Sequence, residues 1–451
     1  MSARPASRRV FRRATVLAVA LLLWTPLMGS DHADPIDVLR ADDREPGLTD
    51  LFFFPIDAEG RPIHQFAGDD VPLAEPRREP RDELTPEQQS GIAGYAAILC
   101  VRRELVDPES LNLEPYTYTV HWDTQSPVVF EGKEPPREKG KGDRVRAADI
   151  PVTGLSIEEA RCRYGGKVLE PSKIDSSASI SVGLDDGARI REVRVRGFAK
   201  GDEYVQGERN PKKISLWSGI RDDPFIFPGF FGTNVVAIVM TIPVDAFADR
   251  QRDFLIWATS EEDGEQVDHV GRSLRTQNPR FELLNTLPPA EHVAALKDEH
   301  EHPSLMRDVF LRLNIQSLFA FRAWDFVPDV MIYSRQYPVG FPNGRLPSDD
   351  VAALCAQFGD TLLLELSYHS GRWDRRTEND KPFLADFPYL AEPWVEGKPW
   401  PDKPTDHPHQ LSAATWWKLI GIGFVLLVLL ALENWIVVGI CKRWLAHRRY
   451  L

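Results

Sequence analysis

The chain has 451 residues, 43% of them apolar and 12 of them Trp. That excludes global disorder and leaves room for two or three average domains or one large β-rich domain. The formal net charge of -13 understates the acidity of the body, because residues 1–30 hold five Arg and no acid, and residues 411–451 hold five Lys or Arg against Glu433 alone; a body this acidic is a poor partner for nucleic acid or anionic lipid.

Residues 1–30 read as an export signal. Arg4, Arg8, Arg9, Arg12 and Arg13 form a basic head, and Ala14 to Met28 is an apolar stretch too short to span a bilayer comfortably. Ser7-Arg8-Arg9-Val10-Phe11-Arg12 also resembles the twin-arginine motif, so both export routes stay open. Cleavage after Gly29 or Ser30 fits best.

Leu48 to Ile56 is expected as the first core strand. Residues 68–90, rich in Pro, Glu and Arg, read as a long surface insertion. Residues 91–106 are apolar and form either a strand pair or a short helix. Tyr116 to Trp122 alternates, which places Tyr116, Tyr118, Val120 and Trp122 on one buried face and His121 on the solvated one. Residues 131–147 are a second charged loop, and 186–197 another alternating strand. The densest core signal is Thr233 to Met240, a β-branched run between Gly232 and Pro243 that predicts a buried central strand. Phe254 to Thr259 and Val267 to Gly271 follow as strands, and Ala290 to His300 as a helix. Leu305, Val309, Leu313 and Ser317 recur at helical spacing and predict a second helix over 305–321. Phe341-Pro342-Asn343-Gly344-Arg345 is a turn, with a short helix after it capped by Ser348 or Asp349.

The C-terminal part is Pro-rich over 382–415, which predicts an extended stalk. Residues 416–441 read as a transmembrane helix, with Trp416 and Trp417 at the outer interface. The basic tail 442–451 is then cytoplasmic by the positive-inside rule and the body lies outside. Glu433 and Asn434 fall inside that apolar span. They either bond a partner helix in the membrane, or Glu433 snorkels to the inner interface. Between signal and stalk, residues 31–381 are expected to form the domain proper, with room for two lobes meeting near 200–215.

Four cysteines, Cys100, Cys162, Cys355 and Cys441, show no CxxC spacing. Only three belong to the body, so a disulfide scaffold and a zinc ribbon are excluded.

Several stretches resemble one family. Asp31-His32-Ala33-Asp34-Pro35 with Thr49-Asp50-Leu51-Phe52-Phe53-Phe54 is similar to the opening of the bacterial "domain of unknown function 4331" family. Gly219-Ile220-Arg221-Asp222-Asp223-Pro224-Phe225, Gly232-Thr233-Asn234-Val235-Val236-Ala237-Ile238, and Phe341 to Arg345 with Asp349-Asp350-Val351 follow in the same order. The resemblance spans roughly residues 30–395 and implies an exported bacterial protein with a β-rich fold. It implies no reaction. The calcium-type turn that often follows the family's second strand is replaced here by Trp122-Asp123-Thr124-Gln125-Ser126-Pro127.

Three places carry candidate chemistry. Asp31, Asp34 and Asp37, with Asp50 further on, offer hard oxygens to Ca²⁺ or another divalent cation, with His32 at the edge. A mature chain beginning Ser30-Asp31-His32 would also offer a square-planar set for Cu(II) or Ni(II). The plain alternative is a turn before the first strand with His32 solvated. Asp222 and Asp223, with Asp349 and Asp350, make a second acidic set. Neighbouring acids on an extended chain point opposite ways, so one of Asp222 and Asp223 is expected to be structural. Arg221 could hold a carboxylate in a bidentate pair. His300 and His302 would suit zinc if the chain turned at Pro303, against the simpler reading of a solvated helix end. GxSxG, P-loop and dinucleotide fingerprints are absent.

The sequence therefore predicts a mainly β, sandwich-like domain outside a bacterial membrane, held by one C-terminal helix. Its leading function is a non-catalytic binding or scaffold module, with divalent cations as candidate cofactors. The alternatives are a metal-dependent hydrolase and, further off, a copper or redox protein.

Overall fold

A computed structural model describes residues 47–63, 84–103, 111–129, 165–199, 203–226, 232–247, 251–273, 275, 279–312, 320–321, 325–349, 351 and 378–394. In chain order its strands are β1 (Leu48–Ile56), β2 (Gly94–Arg103), β3 (Tyr116–Asp123), β4 (Val128–Val129), β5 (Lys167–Val168), β6 (Ala178–Leu184), β7 (Ile190–Arg196), β8 (Tyr204–Gln206), β9 (Ile214–Asp222), β10 (Asn234–Pro243), β11 (Asp253–Glu262), β12 (Glu265–Val270) and β13 (Met331–Ser334). The helices are α1 (Pro86–Ser90), α2 (Pro289–Glu301) and α3 (Leu305–Arg312). The chain is mainly β with few helices, as expected.

One sheet runs β1-β2-β10-β9-β8 and a second runs β12-β11-β3-β6-β7, with β13 pairing β11. β10 lies between β2 and β9 and is buried at every position. That is where a Val-Val-Ala-Ile-Val run with no polar face has to go. Tyr118, Val120 and Trp122 of β3 face inward, as the alternation required. Between the sheets Phe53, Tyr95, Phe254 and Tyr333 pack ring on ring, with centroid distances of 5.1–6.0 Å. Offset and edge-on aromatic contacts like these add to the burial of large apolar area.

Both faces of β1 are buried. Phe53 points between the sheets, while Phe52 lies under the Arg345 guanidinium and Phe54 under the Tyr389 ring, centroids 5.4 Å apart. The cover on that second face comes from the far end of the chain.

Several expectations need correcting. The described residues 91–103 hold one strand, β2, and neither a hairpin nor a helix. The stretch 200–215 is no lobe boundary: it is where the chain passes from β7 in one sheet to β8 in the other, and both sheets take strands from either side of it. All described residues belong to one compact unit. The stalk cannot begin at 382, because Tyr389, Leu390 and Ala391 are buried in the domain. The aromatics among those prolines find an apolar face to cover. The helix at 305 is described as far as Arg312. No helix among the described residues is long and apolar enough to cross a membrane, and residues 1–30, 395–415 and 416–451 lie outside them.

Candidate functional site

Three of the motif stretches meet around Arg345. Its backbone pairs with Phe53, with N to O distances of 3.0 and 3.1 Å. Gly344 makes that approach possible: its φ is +68°, and a Cβ there would sit 2.6 Å from the Phe53 carbonyl oxygen. The Arg345 guanidinium then reaches Asp50 at 2.9 Å, 4.1 Å above the Phe52 ring and 5.9 Å from the Phe225 ring. Asp349 closes the same turn, its Oδ2 accepting from Leu346 N at 2.8 Å and Phe341 N at 3.0 Å. Asn343 fills the turn's inside, donating to the carbonyls of Ser334, Tyr337 and Pro338. Asp50 and Asp349 thus hold the first strand and the late turn together.

The second gathering lies where β9 and β10 end. Asp222 and Asp223 are both buried, although strand geometry sends them to opposite sides. Asp223 accepts from Phe225 N at 3.0 Å and Thr233 Oγ1 at 3.3 Å. Asp222 accepts from Trp394 Nε1 at 2.6 Å and Asn379 Nδ2 at 2.7 Å. Asp380 adds a third carboxyl, its Oδ2 accepting from Gly232 N at 2.6 Å. Burial first, and then the Asp380 charge, push Asp222 above the ordinary carboxyl range; burial does the same to Asp380, with Asp223 adding to it. Arg221 holds neither neighbouring acid. It pairs with Glu392 at 2.5 Å and lies 4.6 Å over the Trp217 ring.

His121 is half-buried on the outer face of β3, with both ring nitrogens engaged. Its ring stacks on Trp257 with centroids 5.1 Å apart, Nδ1 meets Ser176 Oγ at 2.9 Å and Nε2 meets Thr259 Oγ1 at 3.0 Å. Burial lowers its pKa to about 3. A Ser–His pair at this distance has the geometry of a nucleophile and base. The chemistry is wrong, because the far nitrogen faces a hydroxyl where a carboxylate would be needed to stabilise an imidazolium.

Two more histidines meet under α2. His269 and His292 rings are 4.9 Å apart. His292 Nε2 lies 2.8 Å from Leu287 O, and its Nδ1 accepts from Asp329 N at 3.1 Å. His269 Nε2 lies 2.7 Å from Asp329 O. His269 Nε2 also lies 3.5 Å from Asp329 Oδ2; burial first, and then the charge of His269 beside it, push His292 well below its usual pKa. His300 packs edge-on against Phe326 and His302 meets Asp298 at 3.3 Å, so the zinc expectation at that helix end finds its two histidines engaged apart.

Asp31, His32, Asp34, Asp37 and Asp350 lie outside the described residues. Among the described residues no group of three or more His, Cys, Asp or Glu is placed to hold a metal ion. The calcium-type turn is replaced by one in which Asp123 accepts from Gln125 N, Ser126 N, Ser126 Oγ and Asp175 N. Sequence reasoning missed Asn379, Asp380 and Trp394. Their signal was a segment too aromatic for a solvated stalk: Phe383, Phe387, Tyr389 and Trp394. No protein-family model, curated protein or solved structure matches this chain.

Proposed function

We propose that this chain is a membrane-tethered extracytoplasmic binding or scaffold module, a two-sheet sandwich held outside a bacterial membrane by the apolar stretch 416–441. The likeness to the "domain of unknown function 4331" family belongs to the same proposal. One observation carries the non-catalytic reading. The described acids that stood as candidate ligands, Asp50, Asp222, Asp223 and Asp349, are bonded to the fold's own donors in two separate places. A carboxylate engaged in this way fixes the fold, whereas general acid–base work needs one that faces a substrate.

Two experiments on the full chain test the reading. Protease added to intact spheroplasts should degrade the domain while a tag after Leu451 survives; a protected domain overturns the location. Photo-cross-linkers at exposed Arg194 and Tyr204 should trap a discrete partner, and bare monomer at both positions counts against a binding module.

A further inference from the structure

We propose that residues 379–394 form a strap latched to the β9–β10 end of the domain by a proton shared between Asp222 and Asp380, and that removing this proton loosens the strap. The latch is built from both sides. From the domain, Asn234 donates to Trp394 O at 3.0 Å and accepts from Trp394 N at 2.8 Å, and Asp222 N reaches Ala391 O at 3.2 Å. From the strap, Trp394 and Asn379 each donate to one oxygen of Asp222. Beyond this polar end, Tyr389 packs on Phe54 and donates to Gly60 O at 3.0 Å.

Asp380 follows Asn379, which bonds Asp222, and its Oδ2 takes the amide of Gly232, two residues before Asn234, the strand partner of Asp222, so its carboxyl shares one buried corner with that of Asp222. Its Oδ1 is sealed from solvent with no donor reaching it. Both Asp222 oxygens already accept, so two ionised carboxylates would crowd that corner. In a low-dielectric site such a pair keeps one proton.

Among the described residues, the charges around the pair do not relieve it. Asp223 is a third acid, tied to Phe225 N and Thr233. Arg221 is turned to Glu392 and Trp217. Lys381 Nζ donates to the carbonyls of Glu392 and Pro393 and sits 4.1 Å from the Trp394 ring centre. β10 brings the uncharged Asn234 here, and the residues before it the amide of Gly232.

The sign follows from linkage. Both carboxyls are held above their ordinary range in the closed form, so the latch is strongest in acid and weakens as pH rises through their folded values. What loosens is the polar end, while Tyr389 and Leu390 keep their apolar seat. If the chain is tethered as proposed above, residues 391–394 lead in sequence toward the tether, and freeing them lengthens it by up to about 3.3 Å per residue.

Hydrogen–deuterium exchange of the full chain in detergent reads the latch directly. After correction for chemical exchange rate, amides of 379–381, 391, 392 and 394 should lose about tenfold or more in protection between about pH 5 and about pH 9. Those of Val236–Met240 should lose none over the same rise in pH. Asp380→Asn can donate to Asp222 without titrating, and should abolish the pH dependence; Asp222→Asn is the second variant if the first misfolds. Equal wild-type protection at both pH values overturns the latch, and so does an unchanged pH dependence in a folded Asn variant. The measurement does not depend on topology, so failure of the membrane reading in spheroplasts is a separate result.

Discussion

Arg345 and Asp50 stand 295 positions apart and form a 2.9 Å ion pair with side chains 1% and 0% exposed. Breaking a buried pair strands one charge, which costs about 3–5 kcal/mol, whereas an apolar replacement of both partners is often close to neutral. Arg345→Met and Asp50→Ala should each lose about that much in guanidinium unfolding. The double variant Asp50→Leu with Arg345→Met should lose less than the two single losses combined. Additive losses would show that the two residues act separately.

Acid should unfold the domain through His121 and His292. Both are held neutral by burial, with folded pKa values below the unfolded 6.5. Stability from these groups is present above about pH 6.5 and falls as pH drops toward the folded values, because only the unfolded chain takes up the protons. His121→Gln should flatten the melting temperature against pH below about pH 6. An unchanged slope would remove His121 from that account.

The strap should matter for stability. Tyr389 is 1% exposed, and Tyr389→Ala empties a buried aromatic seat over Phe54, an effect of about 3–5 kcal/mol by comparison with Phe truncations. A chain whose stalk began at 382 would lose nothing measurable in the same denaturation experiment.

Gly219 is small for a reason. A Cβ there would lie 2.8 Å from the Trp217 ring, which crosses it on the way to Arg221. Gly219→Val should push the ring outward, at a cost of about 1–3 kcal/mol. Trp217 emission, isolated by comparison with Trp217→Phe, should shift to the red.

Within the proposed membrane span, Glu433→Leu with Asn434→Leu should lower self- or partner-association in membranes, since polar side chains there bond across helices. Unchanged cross-linking yield would favour snorkelling of Glu433.

Much of the fold was legible in local pattern. β1 has the bounds read from its aromatic run, β10 sits centrally because an unbroken apolar run can only be buried on both faces, and α2 falls within a residue or so of its expected span. These depend on periodicity, which is local. Residues 91–106 failed for the same reason: a fully apolar segment has no period, and only pairing with β1 and β10 made it one strand.

The site was less legible, because its bonds are long-range. The sequence by itself determined that Asp50, Asp222, Asp223 and Asp349 sit beside core strands and turns, and it set the acidic body against two basic ends. The tertiary structure alone decided their partners. It brought Arg345 to Asp50, and it folded 379–394 back so that Trp394 and Asn379 met Asp222 and Asp380 met Gly232. No local spacing encodes a hydrogen bond across 172 positions. Composition marked those acids as candidate ligands, and burial against specific donors made them fasteners.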